Sequence, residues 1–250
     1  AMNIALSHAK GEFVARMDAD DISSPNRLEV QLKFIQNHPE LAFVGIFSYW
    51  ISPYGRIGYR TVPNCALGKE WIEESWDSIM DGSRLFTDPS VLFRKADVER
   101  HGGYHTYQRT GMDVDLWLRI LEDGKKAGTI MQPLYGRRRL PSAITFNGYT
   151  ANNNQVPRLL AQERKSQGSD SVSGGENPPE APLLTDKNAK LRQINASYTA
   201  AISCVGVGDI RGAFLFVVAN LKLHNHPVAH MKGLVRLAIA LTNRVIRFNG

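Results

Sequence analysis

Asp18, Asp20 and Asp21 crowd into the stretch DADD, directly after Glu12–Met17, where Phe13, Val14 and Met17 are apolar and suited to a β-strand. Carboxylates two residues apart, just past the last paired position of a strand, can be aimed at one point. Held that close they repel, and one takes up a proton unless a cation neutralises them. Oxygen ligands of this kind suit Mg2+ or Mn2+, which leave coordination positions for phosphate oxygens. The chemistry indicated is a divalent cation joining Asp18 and Asp20 to a pyrophosphate, at the carboxyl end of a strand where open α/β sheets bind ligands. The competing reading is a plain acidic turn, with Asp21 stabilised near the N-terminus of the next helix. A calcium loop is excluded: it needs Asp or Asn at its fifth position and Gly at its sixth, where Ile22 and Ser23 stand. No P-loop signature occurs in the chain.

The elements around this cluster follow from local pattern. Residues 1–9 are the end of a helix, and Lys10-Gly11 is a turn into the strand. Ser24 is placed to cap a helix with Pro25 at its first position and a stripe of Leu28, Leu32 and Ile35. Asn37-His38-Pro39 stops it, Leu41–Trp50 is a strand, and Pro53-Tyr54-Gly55 is a turn. Residues 69–81 are expected to be helical, Ser90–Arg94 a short strand and His101–Tyr104 a loop. Leu116, Trp117, Ile120 and Leu121 mark a helix starting near Asp113, which could be its N-cap. Thr129–Tyr135 is a strand that runs into Arg137, Arg138 and Arg139. Ala143–Phe146 is a strand or loop, and residues 154–166 form a helix. Residues 167–183 are rich in Gly, Ser and Pro, the composition of a linker. Three helix patterns follow. The first carries Leu191, Ile194, Tyr198, Ile202 and Val205, the second Ile210, Phe214, Val217, Val218 and Leu221, the third Met231, Leu234, Val235, Ala238, Leu241 and Val245.

The run GEFVARMDADDISSPNRLEVQLKFIQNHPELAFVG closely resembles the central segment of family 2 glycosyltransferases, which have the GT-A fold. Later pieces fall in the family's order: DPSVLFR at 88–94, GGY at 102–104 and DVDLWLR at 113–119. The resemblance covers residues 1 to about 165 and implies an α/β, GT-A-like (Rossmann-like) mixed sheet flanked by helices. By it, Asp18-Ala19-Asp20 is the D-x-D motif: Asp20 is the direct ligand of Mg2+ or Mn2+, and Asp18 faces the ribose or the metal's water shell. Asp21 supports the turn, caps the next helix or takes part in donor binding. Asp113 falls where the family places its catalytic base, although Met112 stands where members often have Glu or Gln. Trp117 is core or an acceptor platform, and Tyr104 is a further acceptor-side candidate. Members often carry His where Asp88 and Leu140 stand, so Arg138 or Arg139 would supply positive charge for the diphosphate instead. The family's first strand and base-binding loop have no counterpart before Ala1. The expected mixed sheet is therefore N-terminally truncated, lacking its first strands.

The resemblance implies an inverting transfer of sugar from a nucleotide-diphosphate donor to an acceptor hydroxyl, in cell-surface glycan or polysaccharide synthesis on a glycan or lipid-linked acceptor. The alternatives are a non-catalytic truncated remnant or binding module at the membrane surface, and a nucleotidyl- or phosphotransferase using the same cation. Three regions are expected: a partial transferase domain at 1–165, a linker at 166–186 and a basic α-helical region at 187–250.

Bulk composition bounds these readings. The chain has 250 residues, 43% hydrophobic and 22% charged, which supports a sizeable core. No run approaches the roughly 18 apolar residues of a membrane span, and AMNIALSHAKGEF lacks the pattern of a signal peptide. With only Cys65 and Cys204, a disulfide framework is not expected and a reducing compartment fits. The net charge of +6 sits in one place: residues 210–250 hold Arg211, Lys222, Lys232, Arg236, Arg244 and Arg247 and no acid. Such a tail is either a solvated helical face or a peripheral contact with an anionic membrane. The second reading puts the protein in the cytoplasm, on the inner face of the plasma membrane. No nucleic-acid partner is expected, because no recognition motif accompanies the charge.

Overall fold

The computed structural model describes residues 1–58, 62–107, 111–143, 155–173, 177–179, 186–223 and 227–248. In chain order its elements are α1 (Met2–His8), β1 (Phe13–Ala15), β2 (Ile22–Ser23), α2 (Arg27–Asn37), β3 (Leu41–Ile51), β4 (Ile57–Gly58), β5 (Trp71–Glu74), α3 (Trp76–Asp81), β6 (Leu92–Arg94), α4 (Lys95–Arg100), α5 (Met112–Glu122), β7 (Lys126–Arg138), α6 (Gln155–Gln167), α7 (Asp186–Gly206), α8 (Ile210–Leu223) and α9 (Pro227–Phe248). They form two compact units, each assembled from separated stretches of sequence. One comprises Ala1–Tyr49, Arg60–Arg137 and Asn153–Ala181; the other comprises Trp50–Tyr59, Arg138–Asn152 and Pro182–Gly250.

The first unit is an α/β layer built on a sheet of order β1-β6-β3-β7-β2, with β5 added to β7. Within the expected mixed sheet, the pairs β1–β6, β6–β3, β2–β7 and β5–β7 are antiparallel. β3 is buried along nearly its whole length, as its unbroken apolar run LAFVGIF requires. One face of the sheet meets α5, where Val114, Leu116, Trp117, Leu118 and Ile120 are buried with Phe43, Phe86 and Phe93. The other meets α2 through Ile35, which joins Leu41, Val44, Ile46 and Tyr135.

Two expectations about this unit are corrected. Helix α2 starts later than Ser24, with Asn26 at the cap, because the Ser24 N–H donates to Leu134 O and prolongs the β2–β7 ladder. Its buried face is Arg27, Gln31 and Ile35, whereas Leu28 and Leu32 are exposed. Burial of the two polar residues is tolerable because both are bonded. Arg27 Nε donates to Gln31 Oε1 at 2.8 Å, and Gln31 Nε2 donates to Val44 O at 2.8 Å and Ser90 O at 3.0 Å. The segment 69–81 is likewise not one helix. Trp71–Glu74 pairs with β7, and only α3 is helical, opened by a Ser75–Ser78 capping box and closed by left-handed Gly82. Glu74 is buried in the strand, where its carboxylate accepts from the Leu85 N–H and the Thr129 hydroxyl.

The second unit is helical, with β4 paired antiparallel to Trp50 and Ile51. Helix α7 packs against both α8 and α9. The expected stripes hold for α7, where Ile194, Tyr198 and Val205 are buried. In α8 the stripe holds only in part, at Val217, and in α9 it fails. Helix α8 buries Ala213, Phe216 and Val217 and exposes Ile210 and Phe214, while α9 buries Ala229, His230 and Gly233 and exposes Met231, Leu234 and Val235. Small residues win this contact because they let backbones approach: a Cβ at Gly233 would lie 2.2 Å from the Tyr198 ring. The expected strand or loop at 143–146 lies outside the described residues, apart from Ala143.

Candidate active site

Strand β1 is short, and its register with β6 sets where the acidic turn begins. Phe13 faces Arg94 and Ala15 faces Leu92, and the Arg16 N–H still donates to Val91 O at 2.9 Å. The chain then leaves the sheet, turns at Asp18–Asp21 with the Asp21 N–H on Asp18 O at 3.2 Å, and re-enters as β2. There Ile22 faces Gly136 and Ser23 faces Tyr135. Gly136 has to lack a side chain, since a Cβ would meet the Tyr49 ring at 2.5 Å.

Tyr135 anchors the turn. Its fully buried ring lies under the Arg27 guanidinium at 4.6 Å. Its hydroxyl accepts the Asp18 N–H at 3.1 Å and donates to Asp21 Oδ2 at 2.7 Å. Burial raises the phenol's pKa, and the bond to Asp21 raises it further, so the hydroxyl keeps its proton. Asp21 is thus a support of the turn.

Arg16 connects this turn to a second acid. Its Nη1 lies 3.1 Å from Asp18 Oδ1 and its Nε 2.7 Å from Asp88 Oδ2. Asp88 opens a 3-10 turn, Asp88–Ser90, just before β6, and is buried. Burial and the Asp113 charge push its pKa up to about 7, against the pull of Arg16 and Arg84. Asp113 sits in the first turn of α5 and forms an ion pair with Arg84 at 3.3 Å. It is not the N-cap: left-handed Gly111 is, and no side chain caps the helix. Its carboxylate is about one-fifth exposed.

The structure thus brings Asp18, Asp88 and Asp113 into one charged neighbourhood with Arg16 and Arg84. Arg16, Arg84 and Tyr135 were not anticipated. Arg16 had a usable signal, being two residues before Asp18 in an extended segment and hence on the same side. Tyr135 and Arg84 had none, because sequence pattern does not say which distant residue reaches a turn. Arg138 is the last residue of β7 and half-buried.

Burial bears on the two acceptor-side candidates. Trp117 is fully buried, its ring 4.3 Å from that of Phe43, and is core. Tyr104 is 3% exposed, so its ring offers no platform either. The neighbouring Asp115 is buried too, held by His105 and Arg119.

The fit of a cation depends on which carboxylates reach solvent. Asp20 is exposed, and the Asp18 side chain is 44% exposed. Among the described residues no three His, Cys, Asp or Glu side chains form a metal cage. Two reachable carboxylates without a cage fit an ion that draws its remaining ligands from phosphate and water.

The comparisons with known proteins bear on this arrangement. The family model described as Glycosyl transferase family 2 matches residues 1–102. The match covers the stretch that carries the acidic turn, Asp88 and β6. EpsE of Bacillus subtilis, whose name describes a glycosyltransferase, is 31% identical over 152 residues, 60% of this chain and 51% of that protein. An Escherichia coli protein named UDP-Gal:alpha-D-GlcNAc-diphosphoundecaprenol beta-1,3-galactosyltransferase is 31% identical over 149 residues, 55% of this chain and 48% of that one. Staphylococcus aureus TarS, a solved structure, aligns over 96% of this chain and 41% of its own with a TM-score of 0.44 and 16% identity. The chain spans about half the length of the curated relatives it matches.

Proposed function

We propose that this chain takes part in an inverting transfer of a sugar from a nucleotide-diphosphate donor to an acceptor hydroxyl, in the building of a cell-surface glycan. The observation that carries the reading is Arg16, which links the acidic turn at Asp18 to Asp88 in the field of Asp113. The relative named for a UDP-Gal donor and a diphosphoundecaprenol acceptor supports a nucleotide sugar and a lipid-linked glycan as the substrates.

Asp20 and Asp18 would hold Mg2+ or Mn2+, which, when bound, offsets charge on the departing diphosphate. Asp113 takes the proton from the acceptor hydroxyl as that oxygen forms its bond to the anomeric carbon. The bond from that carbon to the diphosphate oxygen breaks, and its electron pair leaves with the nucleoside diphosphate. A positioned base of this kind contributes roughly 10²–10⁴-fold. Arg84 holds the Asp113 carboxylate in place at 3.3 Å. Asp21 fixes the turn through Tyr135. The second unit makes a peripheral contact with an anionic membrane through residues 210–250, on its cytoplasmic face. Among the described residues no helix is long and apolar enough to cross a membrane.

Mn2+-dependent release of nucleoside diphosphate from sugar nucleotides tests this reading. Asp113→Asn is expected to lower turnover by roughly 10²-fold or more while donor and Mn2+ binding stay near the parent's. Equal loss of binding and turnover counts against the base. The second reading, a non-catalytic binding module, is favoured by the cations that already pair with Asp18, Asp88 and Asp113. Donor binding without any turnover would support it.

A further inference from the structure

We infer that the outward face of α9 seats in the surface of an anionic lipid bilayer, with Met231, Val235 and Ile239 entering the acyl boundary and Lys232 and Arg236 meeting the headgroups. The inference rests on the proposed function only for the presence of a membrane; the surface itself comes from how α9 packs. Helix α9 turns its small side inward. Ala229, His230 and Gly233 are buried, and the His230 ring stands against Tyr198 of α7. Leu237 packs partly inward with them, and several larger apolar residues are left outside. Met231 is 63% exposed, Val235 54% and Ile239 55%, with Val228 and Leu234 beside them. At 100° per residue these side chains share one arc, away from the buried side. Lys232 and Arg236, four residues apart and exposed, line one edge of it.

A contiguous apolar arc of this kind on a folded protein marks an interaction surface. Charge decides the occupant. Residues 210–250 contain six Lys or Arg and no Asp or Glu, so the surface has cations for an anionic partner and no acid for a basic one. A second copy is a poorer fit, because a self-complementary contact would present the same acid-free segment from both sides. An apolar face bordered by Lys and Arg, on a helix not apolar enough to cross a membrane, has the form of a helix lying in the membrane interface.

The test is sedimentation of the full chain with vesicles of mixed phosphatidylglycerol and phosphatidylcholine, and with phosphatidylcholine alone. Binding is expected to the anionic vesicles and to weaken with salt. The combined Met231→Ser, Val235→Ser and Ile239→Ser variant should bind at least about tenfold more weakly, because the inserting area is gone. Lys232→Glu with Arg236→Glu should lose roughly fivefold or more for each cation removed. These residues are exposed, so an unchanged urea midpoint shows that the fold is kept. The inference is overturned if the parent stays in the supernatant with anionic vesicles, or if the serine variant sediments like the parent. A concentration-dependent dimer abolished by the same three changes, with no vesicle binding, overturns it as well. Nucleoside diphosphate release on a soluble acceptor separates the two ideas: vesicle binding without turnover supports the lipid surface and strikes the transferase reading, and turnover without vesicle binding does the reverse.

Discussion

The Tyr135 hydroxyl donates a 2.7 Å hydrogen bond to the Asp21 carboxylate across 114 residues of chain. Strand β7 thereby fixes a turn whose own residues make little contact with the core. Removal of this hydroxyl in Tyr135→Phe leaves the ring under Arg27 and takes away partners of both Asp21 and the Asp18 N–H. A charge-assisted bond of this kind is worth about 1.5–3 kcal/mol. Urea unfolding should show a loss of that order. Mn2+ binding should weaken at the same time, since the turn that carries Asp18 and Asp20 loses this anchor. Unchanged Mn2+ binding would mean that the turn keeps its shape by other means.

Asp88 predicts a pH dependence with a definite sign. Burial and the facing Asp113 charge push its carboxyl up to about 7 in the folded protein, well above the ordinary carboxylate range. Between the ordinary range and about pH 7 the native state holds a proton that the unfolded chain has released. Stability therefore falls as pH rises through that window. Asp88→Asn should flatten this slope. Urea midpoints at about pH 5 and about pH 8 check it: the parent loses more stability between them than the variant does. Parallel profiles for the two proteins would refute the assignment.

The polar face of α2 allows a contrast. Gln31→Leu would remove the amide that now bonds the Val44 and Ser90 carbonyls and the Arg27 Nε–H. Unsatisfied buried groups cost about 1–3 kcal/mol each, so the total loss should exceed about 2 kcal/mol. Leu28→Ala, on the exposed side of the same helix, should stay within about 0.5 kcal/mol. Chemical denaturation of both variants distinguishes the buried face from the face that leucine spacing suggested.

That contrast shows where sequence pattern reached its limit. In α2 the apolar residues Leu28 and Leu32 had the spacing of a core stripe, yet Arg27 and Gln31 occupy it. Periodicity ranks faces by hydrophobicity and is blind to hydrogen bonds offered by distant carbonyls. The same limit applies in α9, where Gly233 was no signal for burial until Tyr198 lay against it. Trp117 was open between two roles that pattern could not separate, and its stacking on Phe43 decided for the core. By contrast, the β1 turn, the long β3 and the helix after Gly111 were legible, because each depends on residues near in sequence.

The sequence by itself determined the acidic stretch Asp18–Asp21, the family resemblance of the run that contains it, and a basic tail without acids. These are matters of residue type and local order, which survive without coordinates. Only the tertiary structure decided that Tyr135 holds the turn, that Arg16 and Arg84 pair with Asp18, Asp88 and Asp113, and that α9 turns several larger apolar residues outward. Each of these depends on close packing of residues far apart in the chain, where the gain from filling space and satisfying buried polar groups outweighs local preference.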